Sequence, residues 1–197
     1  NQVFTREQQI INVVDQDSMG CGVRALVDGT WGFSATRTLT KAGVAAAAKE
    51  AAAIAKANRV ARDKAVQLAP AQSNAEVSWQ TPHTIDPFTV AVEDKASLLL
   101  KANAEALKVA GVKFVFSGLF FRKQERNYAN SDGSVINQVV IQSWPLMQIT
   151  AVAADFSDFQ NRGNVVAPAG RGYEYVGECD LVGNAGKWAE EAAQKLK

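Results

Sequence analysis

Residues 20–36, GCGVRALVDGTWGFSAT, combine glycines, a short apolar run and an Asp-Gly dipeptide in one compact stretch. Cys21 to Val27 is rich in β-forming residues, and Trp31 to Thr36 makes a second extended run. Asp28-Gly29 between them is a dipeptide typical of two-residue hairpin turns. The stretch therefore predicts a β-hairpin. Its glycines mark positions where another segment can approach the backbone closely: Gly20, Gly22 and Gly32.

The first strand of this hairpin carries one charge, Arg24, within an apolar run. Because side chains alternate along a strand, Arg24 shares a face with Gly22 and Leu26. The other face carries Val23, Ala25 and Val27, and we expect it to contact a helix. An unpaired buried charge would be costly, so Arg24 should face solvent or meet a carboxylate. A cross-strand ion pair there would contribute about 0.2–1 kcal/mol.

Outside the hairpin the periodicity predicts alternating strands and helices. In the first half of the chain we expect a strand over Val3–Val14, a helix from the cap Thr40 to about Val66, and an irregular stretch over 68–88. A second helix follows over 90–110. After it we expect strands from Val112 to 129 and after the NSDGS turn, then a glycine-rich loop over 160–183 and a helix from Asn184. Pro145 predicts an edge or a bulge. The order predicts a single α+β domain over residues 1–197, a two-layer fold with an antiparallel sheet packed against helices.

Composition narrows the function classes. The 197 residues are 47% apolar and 21% charged, as in ordinary globular proteins, and the formal net charge is +1. That balance argues against a nucleic-acid partner, and no run approaches the roughly 20 apolar residues of a membrane span. The two cysteines, Cys21 and Cys179, favour free thiols and a cytoplasmic location over a disulfide.

Candidate catalytic groups are few. His83 is the only histidine, and its sequence neighbourhood supplies no nucleophile or carboxylate partner, so we interpret it as a loop histidine. The run FFRKQERNY at 120–128 resembles single-strand nucleic-acid binders, but a solvated strand with inward aromatics is the favoured interpretation. We therefore predict no catalytic residue and no metal ligand in this chain.

Three segments carry a resemblance to a known family. GCGVRALVDGTWGFSAT followed by LTKAG and an Ala-rich helix is similar to the opening block of the TldD/PmbA N-terminal domain. YANSDGS resembles that family's later hairpin, and GRGYEYVGE resembles the glycine-rich segment before the last helix of the domain. The three occur in the expected order across nearly the whole chain.

The resemblance implies a zinc metalloprotease that processes or degrades small peptides and also carries the name modulator of DNA gyrase. It implies a homodimer, or a heterodimer with a paralogue, and an H-E-x-x-x-H zinc motif in a C-terminal domain. With one histidine this chain cannot contain that motif. We thus expect an N-terminal fragment that holds no zinc and is inactive alone, the zinc lying in a C-terminal domain absent from this chain.

For such a fragment the resemblance implies a wall of the substrate cavity and a dimerisation surface, with an extended peptide as the ligand. Arg24 is the predicted substrate-binding residue, because it can donate hydrogen bonds to a peptide carbonyl or carboxylate. The alternative is a stand-alone α+β module that binds a peptide or protein and has no enzymatic activity.

Overall fold

The computed structural model describes residues 1–70 and 75–197, and the chain folds as two compact units. Within the described residues, unit 2 is formed by residues 16–70 and unit 1 by all the others. Each unit combines strands with at least one helix. The single α+β domain over residues 1–197 stays a prediction.

The element bounds confirm an α+β fold with open sheets packed against helices. The strands are β1 Gln2–Arg6, β2 Gln9–Val14, β3 Cys21–Val27, β4 Thr30–Thr36, β5 Glu76–Gln80, β6 Val112–Ala129, β7 Val135–Val152 and β8 Phe159–Gly163. The helices are α1 Lys41–Ala57, α2 Val92–Leu107, α3 Glu174–Cys179 and α4 Leu181–Ala193, and a short 3-10 helix, Asn58–Ala61, follows α1.

Unit 2 is built on the predicted hairpin. β3 and β4 pair antiparallel, with Cys21 opposite Thr36 and Val27 opposite Thr30. Asp28 has a φ of 49° and Gly29 a φ of 76°, so both lie in the left-handed region that a type I′ turn requires. The Asp-Gly dipeptide therefore sets the register of the hairpin, as the sequence indicated.

Helix α1 lies close against β4. Its buried residues are Ala47, Ala51 and Ala55, which recur at helical spacing and form a narrow face of small side chains. A Cβ atom added to Gly32 would lie 2.0 Å from the carbonyl oxygen of Ala51 and 2.5 Å from the amide nitrogen of Ala55. The helix backbone thus occupies the space above Gly32, and only a residue without a side chain fits there.

The N-terminus of α1 is capped as predicted, but its C-terminus is not where we expected it. The Thr40 hydroxyl accepts a hydrogen bond from the Gly43 amide at 3.1 Å. The helix ends at Ala57 rather than near Val66, because the next side chains bind the hairpin: Asn58 donates to the Trp31 carbonyl, and Arg59 pairs with Asp28 at 3.1 Å.

Unit 1 contains a six-stranded sheet with the order β2-β1-β6-β7-β5, in which β8 also pairs with β7. The predicted single strand Val3–Val14 is wrong. It folds into the β1–β2 hairpin. The turn residue Glu7 adopts a φ of 47°, a conformation that glycine or asparagine would have indicated in the sequence but glutamate does not. Among the described strands of this sheet, all pairs are antiparallel except β5 with β7. Strand β5 lies inside the stretch predicted to be irregular, of which residues 71–74 lie outside the described residues.

The core of unit 1 lies between one sheet face and helices α2 and α4. Helix α2 is shorter than the predicted 90–110. It buries Leu99, Ala102 and Ala106 at helical spacing, and Lys95 and Asn103 are buried as well. The core is formed by Val3, Ala96, Leu99, Ala102, Ala106, Val112, Val115, Leu119, Phe121, Met147, Ile149, Ala151, Val176, Leu181, Ala185, Ala189 and Ala192.

Pro145 occupies the centre of β7 without breaking it. On one side it lies opposite Leu119 of β6. On the other side of β7, β5 ends opposite Val139 and β8 ends opposite Gln148, so Pro145 lies in the gap between them. The Asn164 side chain fills part of this gap, accepting from the Met147 amide at 2.7 Å and donating to the Pro145 carbonyl at 3.0 Å. Pro145 therefore lies neither on an edge strand nor at a bulge, but at a local gap in the pairing of an internal strand.

The segment predicted as a glycine-rich loop contains two regular elements. The sequence allows one short strand there at most, and β8 is that strand, whereas helix α3 was not expected. Helix α4 begins at Leu181, before the predicted Asn184, because the Asp180 side chain caps it by accepting from the Gly183 amide at 3.0 Å.

Candidate functional site

The open face of the β3–β4 hairpin is the first candidate site. Because α1 covers the face that contains Gly32, and Ala25 lies opposite Gly32, the alternate residues of both strands lie on the uncovered face. We call this surface the hairpin face; it consists of Gly22, Arg24, Leu26, Trp31, Phe33 and Ala35. The structure therefore places Arg24 opposite α1, on the face that strand alternation predicted for it.

Arg24 is exposed, and its guanidinium carbon lies 5.3 Å from the centroid of the Trp31 ring. Among the described residues it forms no ion pair, so the cross-strand ion pair considered for it is replaced by a cation–π contact. The aromatic ring orients the guanidinium without satisfying its N–H donors. These donors remain free to bind a carboxylate or a carbonyl oxygen.

Two aromatic side chains extend this face beyond Arg24. Trp31 is 37% exposed and Phe33 is 57% exposed. A Cβ atom on Gly22 would lie 3.0 Å from the Phe33 ring, which shows that the ring lies across the glycine backbone. Neither residue was predicted from the sequence as a site residue, although the register set by the Asp-Gly turn places both beside Arg24.

A second uncovered surface lies on unit 1, on the sheet face away from α2 and α4. Four rings form a continuous row there. Phe4 stacks on Phe116 at a centroid distance of 5.8 Å and meets Phe120 edge-on at 4.8 Å, and Phe120 stacks on Trp144 at 5.0 Å. The expectation that the aromatics of 120–128 point inward holds for the buried Phe121 but is wrong for Phe120 and for Tyr128, which is 55% exposed.

His83 is half-buried, and its Nδ1 lies 2.9 Å from the Thr81 carbonyl oxygen. No other hydrogen bond of its ring is found in the described part of the chain, which agrees with the loop-histidine interpretation. Nearby, burial alone would raise the pKa of Asp86, but the Phe88 amide and the Lys123 ammonium at 3.0 Å outweigh it and lower that pKa.

Glu174, in the glycine-rich segment GRGYEYVGE, holds the His83 loop in place. Its carboxylate accepts from the Gly172 amide at 2.9 Å, from the Ile85 amide at 3.1 Å and from the Thr84 amide at 3.3 Å. Burial alone would raise the pKa of Glu174, but these backbone donors outweigh it and lower that pKa. Glu174 is therefore a structural anchor, because its charged form is already bound by backbone donors.

We predict that Glu174→Gln lowers the free energy of unfolding by about 2 kcal/mol at pH 7, as expected for lost hydrogen bonds to a charged acceptor. Because the pKa of Glu174 is lowered in the folded state, its contribution is present above the ordinary glutamate pKa. This contribution to the free energy of unfolding is lost as the pH falls through the lowered pKa that Glu174 has in the folded state. Urea unfolding measured between pH 7 and pH 3 should show this acid-side loss in the parent chain and a reduced loss in the variant.

The matched control is Glu178→Gln, which removes another carboxylate of the same helix that pairs with Arg171 at the surface. Such exposed pairs contribute about 0–1 kcal/mol. An acid-side loss equally steep in Glu174→Gln and in the parent chain would contradict the anchoring role.

Metal ligation and membrane insertion receive no support from the described residues. Over residues 1–70 and 75–197, no three His, Cys, Asp or Glu side chains come together as a metal site would require. In the same residues no helix has the length and apolar character needed to cross a bilayer. Cys21 and Cys179 are both free thiols and both half-buried.

Comparison with known proteins identifies the class. Residues 1–55 match the sequence model of the PmbA/TldA metallopeptidase domain 1, and residues 85–197 match that of the PmbA/TldA metallopeptidase central domain. Since the second match alone spans more than half of the chain, the chain belongs to the PmbA/TldA metallopeptidase family. A comparison with curated proteins finds no match.

Solved structures share the fold at low sequence identity. A Thermotoga maritima protein described as a modulator of a DNA gyrase superposes with a TM-score of 0.67 at 16% identity, over 98% of this chain and 40% of that protein. TldE from Thermococcus kodakarensis gives 0.63 at 15% identity, over 98% and 41%. A Bacteroides thetaiotaomicron protein, also described as a modulator of DNA gyrase, gives 0.66 at 16%, over 99% and 43%. The chain thus spans about two fifths of each solved structure.

Proposed function

We propose that this chain is the N-terminal, non-catalytic part of a zinc metallopeptidase that matures or degrades small peptides. In this proposal the zinc and the catalytic groups belong to a C-terminal domain outside the sequence described here. Membership of the PmbA/TldA metallopeptidase family supports the reaction class. The single histidine supports assigning the zinc to another domain, because a zinc motif with two histidine ligands needs a second histidine.

The observation that carries the proposed role is the geometry of the hairpin face. Arg24 presents unpaired donors above Trp31, beside a second exposed ring, Phe33. An extended peptide offers both chemistries at once, a carbonyl or carboxylate for the guanidinium and apolar side chains for the rings. The hairpin face would then form one wall of a substrate cavity.

The second part of the proposal is association, with a second copy or with a paralogue. Strand β2 is an edge strand, and Ile10, Ile11 and Val13 on it are each 45–50% exposed. The free backbone groups of an exposed apolar edge strand can pair with a strand of another chain. We place the protein in the cytoplasm, where free thiols such as Cys21 and Cys179 persist.

The test is Arg24→Ala in the protein that joins this chain to its zinc-binding domain. We expect kcat/KM for peptide hydrolysis to fall at least tenfold, the effect of losing a hydrogen bond to a charged group. The free energy of unfolding should change by less than about 1 kcal/mol, since an exposed cation–π contact contributes little more. Arg37→Ala is the matched control, because Arg37 is another exposed arginine of unit 2 without an ion pair in the described residues.

Unchanged turnover in Arg24→Ala would reject the substrate role and leave the hairpin as a purely structural element. This chain by itself should bind no stoichiometric zinc and cleave no peptide. Chelator-sensitive proteolysis by the purified chain would overturn the non-catalytic assignment.

A further inference from the structure

The turn-proximal half of the β6–β7 hairpin of unit 1 pairs with β5 to form a three-stranded arm, in which the residues of β5 and of the second half of β6 are mostly exposed. We use the name arm for residues 76–80, 123–129 and 135–141. The strand registers are continuous here: Asn127 lies opposite Asn137, which is paired on its other side with Ser78. Two residues along, Glu125 lies opposite Val139, which is paired with Gln80. These two rows of side chains cross the arm.

Both rows lie on the sheet face that the helices cover nearer the core. Asn137 and Val139 alternate in phase with the buried residues Ile141, Ser143 and Met147 of the same strand. The rows line a shallow depression of about 340 Å³ on the arm. Its lining is Ser78, Trp79, Gln80, Glu125, Asn127, Asn137, Gln138 and Val139.

The polar groups in this depression are unused. Within residues 1–70 and 75–197, the side chains of Ser78, Gln80, Asn127 and Asn137 make no hydrogen bond. Glu125 has no ion pair among the described residues. The depression therefore presents side-chain amides, each with a carbonyl acceptor and two N–H donors, beside one free carboxylate.

We infer that this depression binds the main chain of an extended peptide, with Glu125 taking an ammonium or guanidinium group. A side-chain amide matches a peptide group, since each offers an acceptor and a donor in one plane. Amides in two rows across the strands can bind successive peptide groups, and this recognition is independent of side-chain sequence. The lone carboxylate adds selectivity for a cation, either the N-terminal ammonium or a Lys or Arg side chain.

This inference rests on the proposed function for its ligand class, but the depression and the hairpin face share no residue. Its test uses the 197-residue chain and an unstructured peptide of Ala, Ser, Thr and Gly with a free N-terminus. We expect peptide addition to shift the NMR signals of the Asn127 and Asn137 side-chain amides. Asn127→Ala combined with Asn137→Ala should weaken binding about tenfold. Gln148→Ala, which removes an exposed amide from the opposite face of β7, should leave the affinity unchanged.

The source of the cation is tested with peptide variants. If Glu125 binds the terminal ammonium, acetylation of the peptide N-terminus should weaken binding to the parent chain about threefold. If a lysine side chain can take the place of that ammonium, an internal Lys in the acetylated peptide should restore the affinity. Glu125→Gln should remove either preference, whereas Glu190→Gln on α4 should retain it. Equal affinity of all peptides for the parent chain would overturn the role of Glu125.

Absence of shifts at Asn127 and Asn137, or binding unaffected by their joint replacement, would overturn the main-chain site itself. Peptide binding at these residues together with failure of the longer protein to hydrolyse peptides would support the site and reject the proposed metallopeptidase function. The two proposals therefore fail separately.

Discussion

Replacing Gly32 by alanine is expected to destabilise unit 2 by about 3 kcal/mol or more, at the upper end of overpacking effects. The new Cβ atom would lie 2.0 Å from the Ala51 carbonyl oxygen and 2.5 Å from the Ala55 amide nitrogen. Both obstacles are backbone atoms of α1, so no side-chain rotation can relieve the clash. The helix must move away from β4 and lose the burial of its alanine face.

Urea unfolding followed by circular dichroism, together with amide hydrogen exchange of α1, measures this effect. Gly22→Ala on the same hairpin is the matched control, because its Cβ atom would meet only the Phe33 ring at 3.0 Å, and a ring can rotate aside. Alanine is otherwise better than glycine in a strand, so the control should be near neutral. Equal stability of the two variants would show that α1 does not need Gly32 for its approach.

Replacing Asn103 by leucine is expected to destabilise unit 1 by about 2–4 kcal/mol, because buried polar partners are left without a hydrogen bond. Asn103 is fully buried, and its Nδ2 donates to the Thr5 hydroxyl at 3.0 Å and to the Glu7 carbonyl at 2.8 Å. Its Oδ1 accepts from the Ser117 hydroxyl at 2.8 Å. The Thr5 and Ser117 hydroxyls are themselves 2.7 Å apart, which closes a ring of hydrogen bonds.

The triple variant Thr5→Val, Ser117→Ala, Asn103→Leu distinguishes this network from simple packing. Removing all three polar groups should recover part of the stability lost in the single variant, since few buried donors and acceptors then remain unpaired. Guanidinium unfolding of the three proteins gives the comparison. A triple variant less stable than Asn103→Leu would mean that shape, rather than hydrogen bonding, decides this site.

The sequence predicted those parts of the fold that are determined by neighbouring residues, such as tight turns. Asp28-Gly29 and the 130–134 turn each carry turn residues between alternating runs, and both hairpins form as expected. The β1–β2 turn was missed because Glu7, a residue with no preference for positive φ, occupies it. Strand β5 was missed because it pairs with β7 in parallel, and no local pattern reports such a distant partner.

The same distinction holds for the candidate sites. Strand alternation predicted the face on which Arg24 lies, but its contact with Trp31 depends on the cross-strand register. Asn103 lies in a helical stripe where an apolar residue is the usual choice, and its partners come from β1 and β6. The rows on the arm combine the β6–β7 hairpin with β5, which lies more than 40 residues earlier in the chain, so no local motif could have indicated them.

The gap on the outer side of β7 also bears on how the sheet avoids aggregation. Residues 140–147, VIQSWPLM, are mostly apolar, and a bare strand of this kind would serve as a template for incoming chains. Asn164 and the Ser143–Ala169 backbone pair occupy its free groups, and Pro145 has no N–H to offer there. The connection after β8 therefore protects this part of β7 from pairing with other chains. After a proteolytic cut or an insertion within 164–169, Pro145 alone would oppose amyloid-like strand addition there.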